Sequence, residues 1–244
     1  MNDPVYALGA DGASTVPGNV RHPSWLLIAL GALGIAILLV AGVGALIDGG
    51  VQFRFDAAIM LWTRHGTMHG VPIGPAWVRA AMVDITALGG VTVLTLVTIV
   101  VTGFLALNRL WLTMALVLAG TISGSIVVAV AKTIVARPRP TLVDHLVQVS
   151  SASFPSGHAT SSAIVYLTLA ALLMQIVGGR PVRVYILSVA VLLIGLIGCS
   201  RVYLGVHWPS DVLTGWAAGA LWALMWWGIG AHVRHGRSGV SRGD

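Results

Sequence analysis

Six continuous apolar runs limit what this chain can become. They cover roughly residues 25–47, 85–107, 110–130, 158–177, 184–199 and 212–229, with polar segments between them. Hydrocarbon offers a backbone no hydrogen-bond partner, so a chain crosses a bilayer only as helices or as a closed barrel. Barrel strands alternate apolar and polar residues, and these runs do not alternate. Composition agrees: 57% of residues are hydrophobic and only 9% charged, against about 25% charged in soluble domains. The expected fold is all-α: a polytopic membrane protein, a six-transmembrane-helix bundle with a short interfacial helix.

The connections carry an orientation signal. Arg21 precedes the first run, Arg109 lies between the second and third, Arg180 and Arg183 between the fourth and fifth, and Arg234, Arg237 and Arg242 follow the last. In a six-span bundle all of these fall on one side, which the positive-inside rule makes cytoplasmic. Both termini are then cytoplasmic, and the expected location is the plasma (inner) membrane. The formal charge of +6 is read as this loop bias, and no nucleic-acid partner is expected. Cys199 is the lone cysteine, so no internal disulfide can form. Oligomeric state is not readable from the sequence.

Residues 1–23, rich in Gly, Pro, Ser and Asp, are expected to form a disordered cytoplasmic tail. Residues 24–231 would be the membrane domain and 232–244 a basic cytoplasmic tail. Between the first two runs, Phe55, Ala58, Ile59 and Trp62 recur at helical spacing, while Arg54, Asp56, Thr63 and Arg64 take other faces. That pattern fits a helix lying in the membrane interface, either bracing the bundle or roofing a lipid entrance. Gly120 with Gly124, and Gly215 with Gly219, have the spacing that lets helix backbones approach closely.

Three polar clusters interrupt the apolar chain: Lys132 with Arg139-Pro140, then Pro155-Ser156-Gly157-His158, then Ser200-Arg201 with His207 and Asp211. All lie at span ends on the non-cytoplasmic side. Lys132 is the only lysine in the chain. With Arg139 and Arg201 it makes three cations, and a phosphoryl transition state spreads negative charge over three equatorial oxygens. Fixed cations stabilise such charge without reorganising solvent. Arginine forks onto paired oxygens, and lysine acts as a point charge. Ser156 and the N–H groups from Ser156 to His158 add donors where a helix begins, and Gly157 has no Cβ to block close approach. His207 and Asp211 stand four residues apart. A carboxylate on one ring nitrogen leaves the other lone pair free to attack. His207 is therefore the candidate nucleophile, Asp211 its orienter and His158 the candidate general acid. This scheme asks for no metal and no cofactor. All eight acidic residues are aspartate, which removes metalloprotease chemistry with a glutamate base.

The pattern K-x6-R-P, P-S-G-H, S-R-x5-H-x3-D resembles the signature of the type 2 phosphatidic acid phosphatase superfamily of membrane lipid phosphatases. Lys132, Arg139 and Pro140, then Pro155 to His158, then Ser200, Arg201, His207 and Asp211 match it position by position. The likeness covers about residues 85–230. It implies six spans, a phosphohistidine formed on His207 and discharged by water, and a lipid substrate in the outer leaflet. Polyprenyl diphosphate, phosphatidate and phosphatidylglycerol phosphate are the leading choices. An isoprenoid diphosphate is slightly favoured, because a non-cytoplasmic site suits carrier-lipid recycling. The same signature occurs in soluble vanadium haloperoxidases and acid phosphatases, against which the apolar runs argue. A lipid-to-lipid phosphotransferase would use every residue named. A transporter, the rival from another class, would place its charges near the bilayer midplane.

Some residues stay outside this scheme. Arg137 does not keep the six-residue gap from Lys132 and is left either solvated or helping to hold a polyanionic head group. Asp84 reads as a helix N-cap. The loop from 140 to 154, with Leu142, Val143, Leu146 and Val147, is expected to lean on lipid and cover the site. His65 and His69 flank glycines and are not expected to hold a metal.

Overall fold

A computed structural model describes residues 24–66 and 68–240; the tail expected over 1–23 and the last residues, 241–244, lie outside the described residues. The elements are α1 (Trp25–Asp48), α2 (Arg54–Trp62), β1 (Arg64–His65), β2 (Met68–Pro72), α3 (Ala76–Ala87) and α4 (Val91–Leu107). They continue with α5 (Trp111–Val135), α6 (Gly157–Ile176), α7 (Arg180–Tyr203) and α8 (Pro209–Val240). Among the described residues five helices are long and apolar enough to cross a bilayer, and α3 with α4 makes a sixth, bent by 46°.

The bend corrects the expected second span. Asp84 is exposed inside α3, so it caps nothing; the break falls at Gly89-Gly90, and Gly90 is the N-cap of α4. Each glycine inside a helix costs about 1 kcal/mol relative to alanine, and two together mark the weakest point of the run. The helices also outrun the apolar stretches. α7 begins at Arg180 and carries Ser200 and Arg201 in its last turns, and α8 continues through much of the basic segment after 231.

Helix α8 is the hub, packing on α1, α5, α6 and α7. Small residues let it come close. A Cβ on Gly219 would meet Thr160 O of α6 at 2.6 Å, and one on Gly215 would meet Ser156 O at 3.0 Å. Across the bundle α8 offers tryptophans to glycines: Trp222 Nε1 donates to Gly120 O at 3.0 Å, and Trp216 Nε1 donates to Ile194 O at 3.0 Å. Trp216 lies against Gly198. The small-residue pattern is thus spent on helix packing.

Helix α2 is present, and its orientation is informative. Phe55, Ile59 and Trp62 point outward, Trp62 being 77% exposed, while Met60, Thr63 and Asp56 (2%) are buried. An interfacial helix gives an apolar stripe to lipid; here the inward face combines Met60 with the carboxylate of Asp56. After it, β1 and β2 pair antiparallel. Buried Arg64 donates to Tyr203 O at 3.0 Å and Asp144 O at 3.2 Å, tying this hairpin to the end of α7 and to the α5–α6 loop. That loop lines the cavity through Val149, Ser150 and Ser151 and leaves Leu142 exposed, but its other named apolar residues turn inward. Val143 is buried with Met60, Ala159, Val202 and Val212, and Leu146 and Val147 pack on Tyr203, Leu204 and Val206. Burial against protein wins over exposure because α7 ends in its own apolar cluster there.

Candidate active site

Four helix ends meet at one end of the bundle. Helix α5 stops where Ala136 turns left-handed (φ 45°), its N–H returning to Lys132 O at 3.1 Å. This leaves Lys132 in the last turn, with Nζ donating to Ala152 O at 2.6 Å. Pro138 and Pro140 then hold the chain extended, since a proline biases the residue before it away from the helical region. Arg139 is clamped in place: Nε donates to Ser151 O at 2.8 Å, Nη2 to Ser151 Oγ at 3.2 Å and Nη1 to Val206 O at 2.5 Å. Burial lowers its guanidinium from the ordinary value, with Asp211 acting the other way.

Helix α6 opens with Ser156 as N-cap, but the hydroxyl makes no capping bond and is buried without a protein partner. The Ser156 N–H, expected to face an anion, instead donates to Asp211 O at 3.2 Å, because α8 packs so closely there. Gly157 and His158 are left as the first residues of the helix. His158 packs against the α3–α4 break: a Cβ on Gly89 would lie 3.4 Å from His158 Cδ2, and one on Gly90 3.9 Å from Nε2. From α7, Arg201 donates through Nη1 to Thr86 Oγ1 at 3.0 Å, while its Nε is buried and has no protein partner.

His207 sits in the turn between α7 and α8, 2% exposed. Its Nδ1 faces Asp211 Oδ2 at 3.5 Å, and its Nε2 lies 3.4 Å from Arg139 Nη1. With the ring proton assigned to Nδ1, toward the carboxylate, Nε2 keeps its lone pair on the side of the cations. Burial, aided by Arg201 and Arg139 and opposed by Asp211, pushes this imidazole down to about 4. At neutral pH the ring is therefore uncharged.

One cavity of about 700 Å³ is lined by Lys132, Arg139, Gly157, His158, Arg201 and His207 together. Leu94, Ile99, Ile122, Ile126 and Val128 continue it between α4, α5 and α6 as an apolar groove. Ser156 and Asp211 do not line it. The first is buried at the helix start, and the second stands behind His207. The ionisable groups gather at the ends of α5, α6, α7 and α8 rather than at mid-helix, unlike the transporter arrangement. Among the described residues no three His, Cys, Asp or Glu side chains come together as metal ligands.

Residues that the sequence reading left aside are also here. Arg137 is neither solvated nor aimed at a head group. It is buried and ion-paired to Asp211 at 2.6 Å and Asp56 at 3.0 Å. Ser153 Oγ donates to Asp211 Oδ2, and Ser210 is bonded to Asp56. Only the doubled Arg-Pro hinted at any of these; nothing near Asp56, Ser153, Ser210 or Thr86 marked them.

A cationic pocket with two imidazoles, opening into an apolar groove at one end of a membrane-spanning bundle, defines an integral membrane phosphatase that acts on lipid phosphates. The sequence matches the PAP2 superfamily over residues 110–233, and the chain belongs to that superfamily. Phosphatidylglycerophosphatase B of Bacillus subtilis is 36% identical over 157 residues, covering 62% of this chain and 74% of that protein. Decaprenylphosphoryl-5-phosphoribose phosphatase of Mycobacterium tuberculosis is 40% identical over 105 residues, which span 42% of this chain and 52% of that protein. The crystal structure of a transmembrane PAP2 type phosphatidylglycerolphosphate phosphatase from Bacillus subtilis superposes with a TM-score of 0.65 at 28% identity. It covers 82% of this chain and 94% of that one.

Proposed function

We propose that this protein removes the terminal phosphate from a lipid phosphate or polyprenyl diphosphate through a phosphohistidine on His207, at a site facing away from the cytoplasm. The observation that carries the reading is the single cavity holding three cations and both imidazoles. Lys132, Arg139 and Arg201 hold the phosphoryl oxygens, with Gly157 at the positive end of α6. Arg201 lines the cavity and its Nε is a buried donor without a protein partner, which suits an anion. His207 Nε2 forms a bond to phosphorus while the bond from phosphorus to the lipid oxygen breaks, and His158 gives that oxygen its proton. Water then attacks phosphorus, passes a proton to His158, and the N–P bond breaks to release inorganic phosphate. Asp211 stabilises the charge that develops on the ring.

Orientation rests on charge. Arg109, Arg180 and Arg183 are exposed at the end of the bundle away from the cavity, as cytoplasmic arginines would be. The named relatives support two substrate types, a glycerophospholipid phosphate and a polyprenyl phosphate. Phosphate release by purified protein from phosphatidylglycerophosphate, phosphatidate and a polyprenyl diphosphate tests the proposal. Turnover of at least one, blocked by vanadate, is expected; no release from any of them overturns it.

A further inference from the structure

Behind His207, on the side away from the cavity, lies a closed polar network. Arg137 donates through Nη1 to Asp211 Oδ1 at 2.6 Å and to Ser210 Oγ at 2.8 Å, and through Nη2 to Asp56 Oδ2 at 3.0 Å. Asp56 in turn accepts from Ser210 N at 2.7 Å and Ser210 Oγ at 2.6 Å. The Arg137 guanidinium also stands 5.1 Å over the Trp208 ring, a cation–π distance. Asp56, Arg137, Ser210 and Asp211 are all buried.

The geometry divides the Asp211 carboxylate. Oδ1 is taken by Arg137. Oδ2 accepts from Ser153 Oγ and from Trp208 N at 3.0 Å, and it is the oxygen that faces His207 Nδ1. A carboxylate free to rotate would offer the imidazole either oxygen; this one offers a single oxygen. Charge is divided as well. Arg137 serves two carboxylates, so its positive charge falls only partly on Asp211. The rest is drawn by Asp56, and Asp211 keeps negative charge for the ring. Arg137 and Arg139 are two residues apart with Pro138 between them, and in a proline-held extended segment with three residues per turn such positions leave on different sides. Arg139 faces the cavity; Arg137 faces the back of the nucleophile.

We infer that Arg137 and Asp56 are positioning residues for the hydrolysis, a pair that fixes the Asp211 carboxylate and sets how strongly it attracts the His207 ring proton. Interfacial helix α2, through Asp56, is thereby part of the site. The inference rests on His207 as nucleophile, so its test begins with labelled phosphate trapped on the wild-type protein. Absence of an acid-labile phosphohistidine there overturns the functional reading and takes this inference with it. With the phosphohistidine present, the variants alone decide.

The charged groups facing the His207 ring are Asp211 from α8, Arg139 from the α5–α6 loop, Arg201 from α7 and His158 from α6, with Lys132 of α5 in the same cavity. None of them changes in the variants. Arg137→Gln removes a positive charge behind Asp211. Phosphohistidine formation should slow about a hundredfold with KM within about threefold of wild type, and the acid limb of kcat/KM should move to higher pH. Asp56→Asn removes a negative charge and concentrates Arg137 on Asp211, so its acid limb should move to lower pH. Arg137→Lys keeps the charge without the fork and should recover part of the rate. A purely structural role predicts no opposed shift. Unmoved limbs, limbs shifting the same way, or a loss confined to KM would overturn the inference. If Arg137→Gln is not recovered folded, Asp56→Asn decides: a limb moving down supports the pair, and an unmoved or rising limb refutes it.

Discussion

Both ends of the bundle carry exposed arginine, and the cavity end buries arginine as well. Away from the cavity, Arg109, Arg180 and Arg183 are exposed. At the cavity end, Arg64, Arg137 and Arg201 are 4%, 8% and 4% exposed, each bonded to named partners. A solvated charge contributes little to any one contact but counts toward orientation. A buried charge is costly unless paired and hydrogen-bonded. Once built in, it meets developing charge without reorganisation. Arg54 of α2 and Arg79 of α3 are exposed as well, so burial and partners, rather than the end of the bundle alone, mark the arginines that serve the cavity.

His207→Ala should widen that contrast most. Turnover should fall by about 10⁵- to 10⁶-fold with expression and monodispersity unchanged, and phosphate release near the wild-type rate would remove the nucleophile from the scheme. Arg201→Lys keeps the charge but loses the fork held by Thr86. A drop of about 10²- to 10³-fold in kcat/KM is expected, and a fully active variant would mean that burial confers nothing there. Ser156→Ala removes a buried hydroxyl that does not line the cavity and should cost less than about tenfold. On the pH axis, protonated His207 cannot attack, so kcat/KM should fall as pH drops through the imidazole's own value. Burial places that value near 4 rather than at the ordinary 6.5, and the acid limb should lie correspondingly low. Glutamine at Arg109, Arg180 or Arg183 should leave turnover unchanged, as should EDTA; loss in any of these assays would erase the distinction between the ends or reveal a metal.

Much of the cavity end was legible in the sequence because its groups announce themselves by rarity. A single lysine, Ser-Gly-His at a helix start, and His-x3-Asp stand out against apolar runs, and each contributing helix end carries its own part of the cavity. The residues that stayed hidden act across distance. Asp56 stands 81 positions from Arg137, and on α2 the familiar rule inverts, since the apolar stripe meets lipid and the carboxylate is the inward group. Thr86 supports Arg201 from 115 positions away, inside a stretch read as the start of a straight span. The α3–α4 break is hard to read because Gly89-Gly90 lie inside an otherwise continuous apolar run. Arg137 was visible but ambiguous, as sequence alone does not say which of two neighbouring arginines turns toward the ligand.

The cavity wall includes Val91, Ile99, Ile122 and Ile126, exposed side chains on spanning helices α4 and α5, so the pocket opens sideways. A molecule anchored by its tail can reach the cations by gliding within its own leaflet, never passing through water. Encounter is then a two-dimensional event, governed by mole fraction among neighbouring lipids. Diluting vesicles with an inert phospholipid should slow the enzyme even when the bulk amount of substrate is held constant.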